Sequence, residues 1–447
     1  MQFTTNPASF AAQNPALFPT KAGSSVPGLI AIVDPSFRMP EVWRNNLAGD
    51  YKLPWLGIIA TAELVYSKDI YAAYQFNADF PNPIGNLKDS NDHRPYYPQN
   101  QNGTVASIYN NIHVSGAYLF TNSRPGDSWS ATIGAQIPAK KGFYGSIFYT
   151  RMYSEEVSSN PGSQASSAWA NVHSLNNPNE NMLAPSAYFS PNRFVGTLSY
   201  RIQYAKHFAT TVSLYYSGSN GGRFDWGYDY AINNSGTYNQ LLYIPQNADE
   251  LHWTPINVAI GPFSYQLFDT AQEKAAFNKF LSQDKYLNNH RGEYMQRNGE
   301  SMPYYGTLNF KFLEDFITNI GPHHNSLQFS IDILNIGNLV NKNWGIQKTV
   351  PVAYDALLHG NTDHNKQTQV YLSTVTHIDK NGNTLLYSGA YVDPTTHTVS
   401  TTLGTAADGS VGPLGQPEQF LPTSSFVNSY TSGSAWSMQI GLRYNFW

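Results

Sequence analysis

The chain has 447 residues, and Asp, Glu, Lys and Arg make up 13% of them, about half the share found in an ordinary soluble domain. Its net charge of -4 provides no basic surface for nucleic acid, and the absence of cysteine excludes disulfides, thiolate metal sites and cysteine nucleophiles. No apolar run reaches the roughly 18 residues that a membrane helix requires, so a helical membrane protein is excluded. Aromatic residues, at 14%, and uncharged polar residues replace the missing charge, which is typical of transmembrane β-barrels and some surface β proteins.

Residues 1–40 are rich in Pro, Ala and Asn and show no strand pattern, so we interpret them as part of a loop. The chain start lacks the charged and apolar regions of a signal peptide. Such a peptide was therefore either removed, or Met1 is internal.

Nine segments alternate apolar or small residues with polar ones, which predicts β-strands with two unlike faces. They begin near Val42, Ile58, Trp129, Phe143, Arg193, Thr210, Tyr304, Ser326 and Ser434. The apolar faces of these segments carry no charge, whereas the opposite faces carry Arg44, Asp50, Lys52, Glu63, Arg201, Lys311, Asp332 and Arg443. Lipid on one side and water on the other would select this segregation, although the strands of a soluble sandwich also alternate.

The connections between these segments are alternately short and long. The short ones are residues 54–57, 140–142, 205–207 and 319–325, and the long ones are 67–128, 154–192, 219–302 and 337–434. Outer-membrane barrels have this pattern, with periplasmic turns and extracellular loops. It predicts a C-terminus on the periplasmic side. Within the long connections, residues 270–287 predict an amphipathic helix with Asp269 or Thr270 as its N-cap, and Asn381-Gly382 predicts a hairpin turn.

Nine strands are too few for a closed single-chain barrel with an even strand number. An open sheet edge in hydrocarbon leaves backbone groups unsatisfied at a cost of several kcal/mol each. We therefore expect the chain to be a fragment that lacks N-terminal strands.

Five sequence blocks, present in a consistent order, resemble one protein family. They are EVWRNNLAGDYKLPWLG from Glu41, NRFVGTLSYRIQYAKHFATTVSLYYSGSNGGRF from Asn192, QDKYLNNHRGEYMQRNG from Gln283, SLQFSIDILNIGNLVNKNWG from Ser326 and the terminal QIGLRYNFW. From about Phe37 onward the chain resembles the SusC-like and Oar-like TonB-dependent receptors of the Bacteroidetes. One departure is Trp447, which follows the Phe446 with which such chains more often end.

The resemblance implies a 22-stranded transmembrane antiparallel β-barrel with an N-terminal plug and a TonB-box segment. Residues 41–447 would then be the C-terminal part of the barrel, strands 14 to 22, and residues 1–40 a partial extracellular loop, with the plug absent. The implied function is uptake of a large or scarce solute across the outer membrane of a Gram-negative bacterium, without enzymatic activity or a cofactor. The implied partners are outer-membrane lipid, the missing plug and barrel half, the TonB complex through the missing N-terminus, and a surface lipoprotein.

The densest aromatic cluster in the long connections is GGRFDWGYDY, residues 221–230. Aromatic and amide side chains stack on and hydrogen-bond to neutral solutes, while loop packing is the alternative role for the same residues. The candidates for solute binding are Arg223, Trp226, Tyr228, Tyr230 and, more weakly, Trp253. The aromatic residues predicted to anchor the strands at the membrane interface are Trp129, Tyr200, Tyr216, Trp436, Tyr444 and Phe446.

Catalytic and metal sites are not predicted. In the pairs Glu155-Glu156 and Glu314-Asp315, adjacent strand residues point to opposite faces and cannot share a substrate. His323-His324 indicates a solvated turn, and Asp379 to Asn383 lacks the glutamate that ends a calcium loop. His359, Asp363 and His364 form only a weak metal hypothesis.

Two other functions stay open from the sequence. One is a soluble or surface-attached β protein that binds glycans through its aromatic loops. The other is a passive pore made by several chains that share one barrel.

Overall fold

The computed structural model describes residues 29–54, 57–89, 91–99, 116–237, 240–260, 263–320, 323–351, 356–362, 366–372, 421–429, 431 and 433–446, together with short strand pairs between 377 and 412. One large sheet contains eleven strands, to which the two-residue strand Ala184–Pro185 adds at the end of β6. The eleven are β1 (Leu29–Val33), β2 (Glu41–Lys52), β3 (Ile59–Asn77), β4 (Gly116–Ser123), β5 (Asp127–Lys140), β6 (Phe143–Glu156), β7 (Asn192–Tyr204), β8 (Phe208–Asn220), β9 (Tyr304–Ile320), β10 (His323–Leu334) and β11 (Ser437–Phe446).

The nine long strands β2, β3 and β5 to β11 pair antiparallel, each with the next along the chain. β4 and β5 pair with the same side of β3, one after the other along it. Ser123 of β4 faces Ala72 and Asp127 of β5 faces Lys68, so both strands pair with β3 in the same register. β1 pairs with β4 in parallel. β2 and β11 are the edges of the long-strand array, and neither pairs with a further strand among the described residues.

All nine predicted strands are confirmed, and the chain is mostly β-sheet. Two details of the prediction are wrong. Residues 1–40 contain the strand β1, and β3 runs to Asn77, ten residues beyond the predicted start of the first long connection. Both errors have one cause: β1, β4 and the end of β3 pair with one another outside the stretch where one face is apolar, so alternation does not mark them.

The short connections are tight turns at one end of the sheet, which we call the turn end. Lys141 and Gly142, between β5 and β6, have φ of 49° and 82°, the conformation of a two-residue hairpin turn that matches the twist of its strands. A Cβ on Gly142 would lie 1.9 Å from the carbonyl oxygen of Arg201, so only glycine fits. The long connections all leave the opposite end, the loop end.

The long connections fold together into a unit with its own core, which we call the loop assembly: the described residues within 78–99, 157–191, 221–303 and 335–436. Its centre is a five-stranded sheet in the order Gln240–Leu241, Gly227–Tyr228, Ala356–Thr362, Thr368–Leu372 and His252–Trp253. Further two-stranded pairs are Gly85–Asn86 with Pro95–Tyr96, Arg223–Phe224 with Glu300–Ser301, Tyr243–Ile244 with Glu293–Tyr294, Ile256–Ile260 with Phe263–Phe268, and Lys348–Thr349 with Val427–Asn428.

Four short helices belong to this assembly: α1 (Ala165–Ala170), α2 (Thr270–Gln283), α3 (Lys285–Asn289) and α4 (Ile336–Val340), together with the 3₁₀ turn Ala248–Glu250. No helix among the described residues is both long and apolar enough to cross a bilayer. The strands His377–Ile378 and Thr384–Leu385 pair antiparallel, as a hairpin around Asn381-Gly382 requires, while the turn itself lies outside the described residues.

The predicted helix at 270–287 is confirmed, with a break at Asp284 that divides it into α2 and α3. Asp269 is the N-cap of α2: its carboxylate accepts a hydrogen bond from the backbone N–H of Gln272 at 2.8 Å, and the Gln272 side chain accepts one from the backbone N–H of Asp269 at 3.0 Å. This reciprocal arrangement satisfies two backbone donors that the helix cannot satisfy itself. Phe277, Phe280 and Leu281 point from α2 into the core.

Replacing Asp269 by Ala should destabilise α2 by about 1 kcal/mol, because the backbone N–H of Gln272 loses its acceptor. Hydrogen exchange of the amides of 270–283 should accelerate about fivefold. Asp249→Ala is the matched control, since it removes only an exposed ion pair with Lys274 and should change exchange little. Equal effects of the two variants would contradict the capping role.

Candidate functional site

The large sheet has one apolar face that no second layer covers among the described residues. Leu327 and Phe329 on β10 are 39% and 37% exposed, and Ile440 and Leu442 on β11 are 60% and 71% exposed. These four side chains lie on one face, since Leu327 faces Tyr444 and Phe329 faces Leu442 across the β10–β11 pair. A sandwich core would bury them, because its two inner faces interdigitate.

Aromatic residues border this apolar face at both ends of the strands. Trp129, Tyr216 and Trp436 lie at the loop end, whereas Tyr200, Tyr444 and Phe446 lie toward the turn end. Between Trp129 and Ile137 the face spans eight residue steps, roughly 26 Å at 3.3 Å per residue. The six predicted interface residues therefore form two borders separated by a band of mostly aliphatic and aromatic side chains.

Charges occur on the apolar face only near its ends. On this face the strands carry Lys68, Asp127, Arg151 and Glu155 at the loop end and Lys140 and Glu314 at the turn end. The prediction of an uncharged face is thus correct for the middle of the strands and wrong for their ends. Glu314 accepts hydrogen bonds from Tyr204, at 2.7 Å, and from Thr210.

The opposite face is polar and is linked by hydrogen bonds across strands. Lys311 and Asp332 form an ion pair at 2.7 Å. Asp315 accepts hydrogen bonds from Arg201 at 2.8 Å and from Gln328 at 2.7 Å. These groups satisfy one another next to solvent, so this face can border water without a covering layer.

The large hydrophobic core among the described residues lies in the loop assembly, while only a smaller contact, in which Trp169 of α1 packs on Tyr118 of β4, lies against the sheet. It joins three of the long connections through the buried residues Leu87, Phe224, Trp226, Tyr228, Ile232, Leu241, Leu242, Ile244, Ala248, Ile256, Phe268, Phe277, Phe280, Leu281, Leu287, Met295, Leu357, Leu358, Val370 and Leu421. Burial of this many apolar side chains, at about 25 cal/mol per Å², is the main stabilisation of the assembly. The long connections therefore form one folded body at the loop end.

The structure separates the residues predicted to bind a solute. Trp226 and Tyr228 are 0% and 1% exposed and pack inside the core, whereas Tyr230 is 66% exposed. The Trp253 indole donates to the carbonyl oxygen of Ala248 at 2.7 Å and is partly buried. In this conformation Trp226 and Tyr228 serve packing, which was the alternative role. A solute contact at Tyr230 stays a prediction.

Arg223 holds two backbone segments together at the base of the assembly. Its guanidinium donates to the carbonyl oxygens of Asn298 at 2.6 Å and Gly299 at 2.8 Å and lies 4.9 Å from the centre of the Phe189 ring. Burial lowers the pKa of this arginine. Arg223 is half-buried and therefore lies at the edge of the loop assembly.

A buried ion pair that the sequence did not indicate lies near the centre of the assembly. Arg94 pairs with Asp92 at 2.8 Å, and its guanidinium carbon lies 5.5 Å from the ring centres of both Tyr228 and Tyr294. The Arg94 side chain is completely buried. No local pattern around residues 92–94 could have indicated this, because the two rings come from another connection.

A second buried polar group is the carboxyl of Glu300. The Trp226 indole N–H donates to it at 3.1 Å, and it shares a hydrogen bond with Asp284. Burial and the neighbouring Asp284 raise the pKa of Glu300 from 4.5 to about 8. Asp284 also caps α3 by accepting from the backbone N–H of Leu287 at 2.9 Å and binds the hydroxyl of Ser425. This carboxyl pair thus connects α3 to two other segments of the assembly.

The acidic pairs and the histidines considered in the sequence lie at separate places in the part of the chain that is described. Glu314 and Asp315 face Thr210 and Ala209 on opposite faces of the sheet, as predicted. His359 binds Asp229. Asp363, His364 and the 379–383 turn lie outside the described residues, as do the side chains of His323 and His324. No group of three or more metal-ligating side chains occurs among the residues that the structure describes.

Comparison with known proteins adds no relative: no protein-family model, curated protein or solved structure matches this chain.

Proposed function

We propose that this chain is the C-terminal part of the barrel wall of an outer-membrane receptor that takes up a large or scarce solute with energy from TonB. The observation that carries the proposal is the uncovered apolar face of the nine-strand sheet, bordered by aromatic residues at both ends. Lipid is the environment that leaves such a face stable, since an apolar band of about 25 Å between aromatic girdles is the outer surface of a transmembrane barrel.

The position of the core supports this assignment. A soluble β protein stabilises its sheet by burying the apolar face, whereas here the buried side chains belong to the loop assembly. The hydrogen-bonded polar face, with Lys311, Asp332, Arg201 and Asp315, suits a wet interior. In a membrane, β2 and β11 need further strands to close the wall, which the proposal assigns to an N-terminal barrel half and plug.

The loop assembly is the part that would meet a solute outside the cell. Its packed core makes it a preorganised surface, and Tyr230 and Tyr188 are 66% and 78% exposed on it. Uptake coupled to TonB, contact with the TonB complex and a surface lipoprotein rest on the sequence resemblance alone.

The membrane placement is tested with the full chain in phosphatidylcholine vesicles whose acyl chains carry bromine close to the headgroup. Bromine should quench the fluorescence of Trp129 and Trp436, so W129F and W436F should each reduce the quenched fraction. Trp253→Phe is the matched control and should not reduce it. A chain that is monodisperse in water without detergent and is not quenched would favour the glycan-binding alternative.

The uptake part is tested in the host cell. Spent medium from the wild type should lack a compound that remains in medium from a strain without this gene and from a strain without TonB. That compound is then the candidate solute. Identical depletion by all three strains would contradict TonB-dependent uptake by this protein.

A further inference from the structure

The apolar face of the sheet contains a groove of about 520 Å³ near the loop end, lined by Tyr149, Phe194, Tyr216 and Tyr304. The groove is shallow and open along its outer side, so an occupant would lie along the sheet and would not be enclosed. The four side chains come from β6, β7, β8 and β9, four neighbouring strands.

Two glycines shape the groove. Gly218 and Gly306 face each other across β8 and β9, and Cβ atoms there would lie 2.2 Å from the Tyr304 hydroxyl and 2.1 Å from the Tyr216 hydroxyl. Because the two glycines lack side chains, the Tyr216 and Tyr304 rings can lie over the backbone. The two tyrosine hydroxyls are 3.3 Å apart. The groove is therefore apolar along its length and carries hydroxyl groups toward the loop end.

A polar row borders the groove on its loop side. Arg151 donates to the side-chain oxygen of Asn192 at 2.8 Å, and Asn192 donates to that of Asn220 at 2.7 Å. The hydroxyl of Tyr149, which lines the groove, also donates to Asn192 at 2.7 Å. Arg151 thus lies on the apolar face beside the groove, and Asn192 links it to Tyr149, which lines the groove.

The charge of Arg151 has no acidic partner. It is exposed, and no carboxylate of the described residues lies within ion-pair distance of it. Glu155, the next acidic residue on the same face of β6, is four residues away, roughly 13 Å along the strand. The neighbouring charge of Arg223 is also positive, and Arg151 contributes to the lowered pKa of Arg223. The positive charge at the border of the groove is therefore not neutralised by the described residues.

We propose that this groove binds one anionic phospholipid, with an acyl chain lying over the contacting rings of Phe194 and Tyr216 and the phosphate at Arg151. Arginine binds phosphate oxygens through several N–H donors, and four of the five in Arg151 have no protein acceptor among the described residues. The level of Arg151 agrees with this, because it faces Ala131, two residues from the Trp129 border, and is therefore close to the level of the headgroups. This inference rests on the proposed membrane placement.

Native mass spectrometry tests it on the full chain, purified in detergent with equal amounts of phosphatidylglycerol and phosphatidylcholine of identical acyl chains. The wild type should retain phosphatidylglycerol over phosphatidylcholine by about fivefold. R151Q should remove this preference. R193Q is the matched control, because Arg193 is exposed on the opposite face of the next strand, at the same level, and the preference should persist.

A second variant tests the acyl chain. A Cβ on Gly196 would meet only the Phe194 ring and the Ser146 carbonyl oxygen, both at 3.7 Å, so Gly196→Leu should fold and should reduce retention of both lipids.

Equal lipid preference in the wild type, R151Q and R193Q would overturn the lipid site, as would a dimer that excludes lipid from the groove. Unchanged lipid retention in Gly196→Leu would overturn the acyl-chain position. A chain that stays in the aqueous phase and never enters micelles or vesicles would instead overturn the membrane placement. The two proposals therefore fail in different measurements.

Discussion

An arginine in place of Leu198 should strongly destabilise the inserted chain, whereas an arginine in place of the adjacent Thr197 should be tolerated. Leu198 lies at the middle of β7 on the apolar face and is 45% exposed, and Thr197 points to the polar face. A positive charge that faces lipid near the bilayer midplane costs roughly 2 to 4 kcal/mol, while one that faces a wet interior costs little. The two variants add the same charge to the same strand one residue apart.

The measurement is the free energy of unfolding of the full chain in phosphatidylcholine vesicles, obtained by denaturant titration. We expect L198R to lose roughly 2 to 4 kcal/mol and T197R less than about 1 kcal/mol. At a half-exposed surface position of a water-soluble protein, L198R would cost about 0.5 kcal/mol or less. Equal, small losses in both variants would therefore rule out lipid at this face.

The loop assembly should lose stability as the pH rises from about 4.5 to about 8, the interval between the ordinary pKa of Glu300 and its raised value. The folded state keeps a proton on Glu300 throughout this interval, while the unfolded chain has already lost it. The contribution of this proton is complete below pH 4.5 and is lost as the pH passes through about 8. At about 1.4 kcal/mol per pKa unit, the total loss is roughly 5 kcal/mol.

Burial of the Glu300 carboxyl determines the direction of this effect, and the nearby charges modify its size. Asp284 repels an ionised Glu300 and Arg223 attracts it, and burial disfavours the charge more than Arg223 favours it. The variant Glu300→Gln keeps an acceptor for the Trp226 indole and a donor for Asp284, but has no proton to lose. Its stability should therefore not fall over this pH interval.

Denaturant unfolding of the full chain in detergent, measured at pH 5 and pH 8.5, tests this prediction. E300Q should lack most of the decrease that the wild type shows between the two pH values. Glu293→Gln is the matched control, because Glu293 is an exposed carboxyl of the same assembly, and it should keep the wild-type decrease. A decrease of the same size in E300Q as in the wild type would show that another group causes it.

The positions of the strands were largely predictable, because one physical requirement repeats along each of them. Alternation in Trp436 to Phe446 assigns each residue to a face from its parity alone, and the register of β10 and β11 follows the same assignment. Arg151 also carried a readable signal, since it has the parity of Phe143, Ile147 and Tyr149 on β6. The prediction of an uncharged apolar face overlooked Arg151, although the long connection was predicted to begin only at residue 154.

The loop assembly was predictable only where a local signal exists. Helix α2 was found because its cap and its apolar face lie within one short stretch. The burial of Trp226 and Tyr228 could not be predicted, because the residues that cover them, such as Phe280 and Arg94, come from distant parts of the chain. An aromatic-rich loop has the same composition whether its rings bind a solute or one another.

The sequence by itself determined the nine long strands, the face to which each residue points, and the alternation of tight turns with long connections, because these follow from local periodicity and spacing. Only the tertiary structure decided that the apolar face is uncovered, that the core lies among the loops, and which charges meet there. These depend on contacts between residues up to 200 or more positions apart, such as Tyr294 with Asp92. No local pattern encodes such contacts, because they form only when the long connections pack together.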